Sequence, residues 1–119
     1  MLSLTQIGAF RCFEGSFAID TTSTGASDYV IVNPDAQNVS VQLKVLSTAK
    51  AALEATCSTE AEVVAGTADW KEWAIGDVTG GAVEQDTPTS PITAVRINVK
   101  TAKAGNQALL CVRTRGQMV

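Results

Sequence analysis

Five carboxylates and two indoles share one stretch of this chain. Asp69, Glu72, Asp77, Glu84 and Asp86 all fall between residues 69 and 86, and Trp70 and Trp73 lie among them. Paired carboxyl groups are the working parts of a glycosidase. One protonates the leaving oxygen, its pKa raised by an apolar setting, and the other acts as base or nucleophile. Tryptophan faces would suit sugar stacking. Acids beside turns are usually solvated loop residues, however, and their separation cannot be read from sequence. The solvated reading is the simpler one. The spacing from Asp77 to Asp86 is not that of an EF-hand loop, so calcium finds no support. Gly76, Gly80 and Gly81 are followed by no Gly-Lys-Ser or Gly-Lys-Thr, so they read as turn glycines, not a phosphate loop.

Other chemistry is scarce. The chain has no histidine, hence neither the commonest general base nor the commonest metal ligand. Cys12, Cys57 and Cys111 are far apart and form no C-x-x-C. Their odd number argues against a disulfide framework. They read as thiols, and as small buried hydrophobes, with Cys57 on the face of Leu53 and Ala55. A reducing compartment at the time of folding follows. The expectation is no enzyme, no catalytic residue, no cofactor and no metal.

The charges are unevenly placed. Residues 1–86 hold all twelve acids and only Arg11, Lys44, Lys50 and Lys71, a net −8. Residues 87–119 hold no acid and five bases, Arg96, Lys100, Lys103, Arg113 and Arg115. Such asymmetry can mark a partner surface. The plainer reading is that basic strands lie beside acidic ones in one fold. Nucleic-acid binding would want bases interleaved with aromatics, and the only aromatics after Tyr29 are the two Trp. No specific nucleic acid is expected. Met1 to Gln6 lacks the basic n-region and apolar stretch of a signal peptide, and no apolar run approaches a membrane span. The Asn38-Val39-Ser40 sequon has no meaning without secretion.

The hydrophobic fraction of 45% supports a real core in 119 residues, and the length fits one domain, 1–119. Residues 1–6 could form an extended N-terminal arm. Period-two alternation dominates thereafter. Val39, Val41, Leu43 and Val45 alternate with Ser40, Gln42 and Lys44. Val95, Ile97 and Val99 alternate with Arg96, Asn98 and Lys100. The valines, leucines and isoleucine of both runs should point inward. Residues 7–20 read as one or two strands around Phe10, Cys12, Phe17 and Ile19, with a turn at Gly15-Ser16. Phe10 and Cys12 share one face there, Arg11 and Phe13 the other. Residues 21–27 read as a polar loop, and 29–32 as a strand ended by a turn at Asn33-Pro34-Asp35. Leu53 to Ser58 reads as a strand, with helix over 48–55 its competitor. Residues 60–65 are ambiguous. Trp70 and Trp73 would face opposite sides on a strand and one side on a helix. Residues 84–91 read as a polar connection. Val95–Val99 and Gln107–Arg113 read as a hairpin around the loop 101–106. The whole is all-β: an antiparallel sandwich or jelly-roll-like small barrel of six to eight short strands.

Two stretches carry a resemblance. Trp70-Lys71-Glu72-Trp73-Ala74-Ile75-Gly76-Asp77-Val78-Thr79, followed by Pro91-Ile92-Thr93-Ala94-Val95-Arg96-Ile97-Asn98-Val99, resembles the C-terminal half of small accessory virion proteins of tailed bacteriophages. In those, a W-x-x-W or W-x-D-W … G-D-V-T segment precedes a P-I-T-A-I-R strand. The family is β-rich, often trimeric, and includes capsid decoration (cement) proteins and head fibre bases. The resemblance covers roughly residues 70 to 113.

It implies a structural virion protein, a homotrimer that binds and stabilises the phage head. Its partner would be the major capsid protein, and it would sit on the capsid surface after synthesis in the host cytoplasm. The alternatives are a tail or head–tail connector component and, from Trp70 and Trp73, a carbohydrate-binding module. No membrane partner is expected. The candidate interface residues are Trp70, Trp73, Arg96, Lys100, Lys103, Arg113 and Arg115.

Overall fold

The computed structural model describes residues 1–8, 12–33, 36–79, 83–86 and 92–116. The alternating stretches become strands, as one-sided burial requires. They are β1 (Thr5–Ile7), β2 (Cys12–Ile19), β3 (Gly25–Ala26), β4 (Val30–Ile31), β5 (Ala36–Val45), β6 (Lys50–Thr56), β7 (Lys71–Thr79), β8 (Val83–Asp86), β9 (Ala94–Thr101) and β10 (Ala108–Gly116). Among the described residues a single helix, α1 (Glu60–Ala65), lies between β6 and β7.

Strand pairing is nested. β6 pairs with β7, β5 with β8, β3 and β4 with β9, and β2 with β10, all antiparallel. The chain is therefore a long ribbon doubled back at α1 and folded over into two five-stranded sheets. One runs β1-β2-β10-β5-β8, the other β3-β9-β6-β7 with β4 also on β9. This order is that of a jelly roll. β3 and β4 act as two halves of one strand: between them the amide of Ser27 donates to Ile97 O at 2.7 Å, and the amide of Ile97 to Ser27 Oγ at 3.0 Å. β1 is an added edge. Residues 1–6 lie on the domain, where Leu2 bridges Val30 and its amide donates to Tyr29 O.

The core fills the space between the sheets. Val39, Val41, Leu43 and Val45 from one sheet meet Val95, Ile97 and Val99 from the other, all buried, with Leu110 and Val112 beside them. Ser40 is exposed, and Gln42, Arg96 and Asn98 are half-exposed, so the inward–outward assignment of both strands holds.

Three expectations need correction, and the ambiguity of residues 60–65 is resolved. First, Gly15-Ser16 is no turn. β2 runs straight through it, because Gly15 faces inward and Phe17 covers it: a Cβ there would lie 2.4 Å from Phe17 Cζ. Residues 60–65 are helical. Thr59 accepts from the Glu62 amide while the Glu62 carboxylate accepts from the Thr59 amide, a capping box, and Gly66 closes the helix at φ 79°.

Second, the last two strands form no hairpin. β9 lies beside β6 in one sheet and β10 lies between β2 and β5 in the other. The segment after Thr101 arches across the sandwich. Two strands that face one core from opposite sheets show the same alternation as two paired strands. The arch is held by Thr21, which is fully buried. Its hydroxyl lies 2.8 Å from Lys103 O and 3.0 Å from Gly105 O, and accepts from the Gln107 amide at 3.1 Å. Its backbone adds bonds to Gly105 O and from the Lys103 amide. Third, residues 84–86 of the expected connection belong to strand β8. The faces assigned to Phe10 and Arg11, the Pro34-Asp35 part of the expected turn, and residues 87–91 lie outside the described residues.

Candidate functional site

A two-layer sandwich has two outward faces, and it divides the candidate residues between them. Arg96 and Lys100 stand on the outer face of the β9-β6-β7 sheet with Trp70 beside them. Arg113 and Arg115 stand on the outer face of the β2-β10-β5 sheet, and Lys103 is exposed on the arch. Trp73 belongs to neither face, since it packs against the core.

A bulge builds the first face. Ala52 is opposite Asp77 and Glu54 is opposite Glu72, so residues 73–76 of β7 stand against Leu53 alone. Gly76 makes this possible with φ 71°, a left-handed conformation that side chains disfavour. The extra residues turn Trp73 and Ile75 toward the core. Glu72 and Asp77 are left outside, flanking the bulge. Lys100, on the far side of β6, reaches both: its ammonium donates to Glu72 Oε2 at 2.8 Å and lies 2.6 Å from Asp77 Oδ1. The bonds to Asp77 first, and Glu72 second, push the Lys100 pKa up to about 12.

Arg96 forms the other half of this face. Its Nε donates to Glu54 Oε1 at 2.7 Å, from directly opposite on β6. Its guanidinium lies 4.2 Å from the centroid of the Trp70 ring, a cation–π contact. Trp70 itself is placed by Asp69, whose carbonyl accepts from Thr56 Oγ1 at 2.7 Å and whose amide donates to Ser58 Oγ at 3.1 Å. Trp70 and Arg96 come from the two different stretches of the resemblance, and Lys100 holds Glu72 and Asp77 on the same outer face.

The charge asymmetry of the sequence is resolved here. Arg96 pairs with Glu54, Lys100 with Glu72 and Asp77, and Arg113 with Glu14 at 3.8 Å. Basic strands of the last third lie against acidic ones from upstream.

Among the described residues the candidate carboxylates are divided. Glu72 and Asp77 are held by the ammonium of Lys100, Asp69 is exposed in the loop before β7, and Glu84 and Asp86 belong to β8, whose side chains are not described. The two indoles form no common platform. One face of Trp70 carries Arg96, and Trp73 turns inward. Among the described residues no three Cys, Asp or Glu side chains come together as metal ligands.

The cysteines are thiols, but they are not buried. Cys57 is exposed, and Cys12 and Cys111 are half-buried. Strand β6 ends at Thr56, so the alternation that would carry Cys57 inward stops one residue short. Cys12 and Cys111 fall on the outward register of β2 and β10.

The second face holds a trough of about 880 Å³. Register builds it from two rows across the sheet. One row is Glu14, Arg113 and Ser40, the next Ser16, Cys111 and Gln42. Thr5 of β1 closes one rim. The Cys111 thiol lies 3.5 Å from Ser16 Oγ at the floor. Nothing in the sequence marks this trough, because serine, cysteine and glutamine on an outward face look like ordinary surface.

No protein-family model matches the chain, and no curated protein sequence matches it. Similar solved structures include a protein of Bacillus endospore appendages, described as disulfide-linked pili. It is 20% identical over 98% of this chain and 99% of that one, at a TM-score of 0.43. The capsular polysaccharide assembling protein CapF of Staphylococcus aureus is 9% identical over 92% of this chain and 25% of its own, at 0.36. A CBM4 structure is 10% identical over 96% of this chain and 77% of its own, also at 0.36. At these identities and scores none of them bears on what the chain does.

Proposed function

We propose that this chain is a structural protein of a virion: a capsid decoration protein of a tailed bacteriophage. It works without catalysis, on the capsid surface, as a homotrimer bound to the major capsid protein. The observation that supports this reading is the convergence on one face. The two stretches that carry the resemblance are distant in sequence, yet Trp70 of one meets Arg96 of the other, and Lys100, just past the second, meets Glu72 and Asp77 of the first. That half-exposed face, with an indole among fixed ion pairs, is the docking surface. Its side chains are already ordered by their partners, so little freedom is lost on docking.

A decoration protein stabilises its shell by mass action, because it binds the assembled lattice and not the dissociated subunits. Three linked copies turn a weak contact into a firm one through effective concentration. Charged docking is screened by salt, with a Debye length of about 10 Å at 0.1 M.

The experiment mixes the purified protein with capsids of its own virus prepared without it, then measures co-sedimentation and the temperature of shell rupture. Stoichiometric binding and a raised rupture temperature are expected, both weakened by Trp70→Ala and unchanged by Lys44→Glu on the opposite sheet. Failure of the wild type to sediment with capsids overturns the reading, as does full binding by a folded Trp70→Ala variant.

A further inference from the structure

We propose that the trough on the outer face of the β2-β10-β5 sheet binds a neutral oligosaccharide. Nothing in the resemblance or in the docking face calls for this trough, and it points away from that face. On a decorated particle it would look outward.

The lining selects the ligand. Ser16, Ser40 and Thr5 bring hydroxyls that both donate and accept, and Gln42 brings an amide that does the same. Glu14 adds an acceptor and Arg113 a fork of donors. A sugar presents neighbouring hydroxyls that each need a donor and an acceptor, which is what these rows offer. Charge narrows the choice further. The two ionised groups lining the trough are opposite in sign and 3.8 Å apart, so the trough is neutral. An anionic or cationic ligand would leave one of them facing a like charge. At 3.8 Å the pair is beyond hydrogen-bond length, and both side chains are largely exposed, so each can turn to a ligand at small cost.

Size and shape agree. The volume of 880 Å³ falls within the range of about 300–1,000 Å³ typical of ligand sites. Side chains on three strands about 4.8 Å apart form a row about 10 Å long, which suits an extended chain of sugars better than one ring. The small residues Ser16, Ser40 and Cys111 form the floor, which lets such a chain lie close to the sheet.

The test uses a printed array of neutral, sialylated and sulfated oligosaccharides. The wild-type protein should retain neutral glycans over charged ones. Gln42→Ala and Glu14→Gln, each checked for an unchanged melting temperature, should lower the signal at least tenfold. Trp70→Ala, on the other sheet, should leave it unchanged. The retained glycan should also slow alkylation of Cys111 several-fold while leaving Cys57 unaffected. Retention of no neutral glycan overturns the proposal. So does a preference for charged glycans, or binding that survives both trough variants and is lost with Trp70→Ala. Because the trough and the docking face lie on opposite sheets, capsid binding can fail without touching this result, and the reverse.

Discussion

The ring of Phe17 lies over Gly15, so close that a Cβ on residue 15 would sit 2.4 Å from Cζ and 2.7 Å from Cε2. Leu4 closes the same space from the N-terminal segment, at 3.1 Å from that position. A glycine inside a strand often marks such a close approach. Gly15→Ala should therefore destabilise the domain by about 1–3 kcal/mol, as overpacking does. The double variant with Phe17→Leu should recover part of that loss, since the two sites share one space. Urea unfolding measures both. An alanine tolerated at no cost would mean that β2 and Phe17 do not pack this way.

Thr21 offers a test of the arch. Its hydroxyl serves two carbonyls and one amide of the segment between β9 and β10. Thr21→Val keeps the shape and removes the hydroxyl, leaving the Gln107 amide without that acceptor. A loss of about 1–3 kcal/mol in urea unfolding is expected. Cross-strand NMR contacts should join Leu110 to Leu43 and to Phe17. Contacts of Leu110 with a β9 residue in a paired register would restore the hairpin and contradict the arch.

What the sequence discloses follows from physics that acts along the strand. Burial on one side forces period-two alternation, so Val39–Val45 and Val95–Val99 are legible with their faces. Pairing is a different matter. Alternation says that Ile97 points inward but not whether its neighbour is β10 or β6, and the hairpin reading failed there. Gly15-Ser16 looked like a turn because the ring that fills the glycine's space is seen only in three dimensions. Residues 60–65 are ambiguous by periodicity alone, and the capping box between Thr59 and Glu62 that fixes the helix is seen in the structure. Of the site, the bases and Trp70 were legible as candidates by type. Their division between two sheets was not, because it depends on which strands cross the sandwich. The bulge at Gly76 that brings Glu72 and Asp77 to one lysine leaves no periodic trace.

Lys100 should report its ion pairs through pH. Its pKa stands at about 12 in the folded chain against an ordinary 10.5. A raised folded value means that the protonated form is favoured by folding. The contribution is complete below about pH 10.5 and fades as pH rises through about 12. Chemical denaturation of the wild type and Lys100→Met should show a gap at pH 9 that narrows steadily by pH 12. A gap that stays constant over that range would mean that Lys100 does not hold Glu72 and Asp77 in solution.

The docking claim is tested most directly by a cryo-electron microscopy reconstruction of capsids re-bound with the purified protein. Trimers should stand on the shell with Trp70, Arg96 and Lys100 against the major capsid protein and with Ser16, Gln42 and Cys111 facing solvent. Density that places the β2-β10-β5 face on the shell, or capsids that emerge bare, would contradict it.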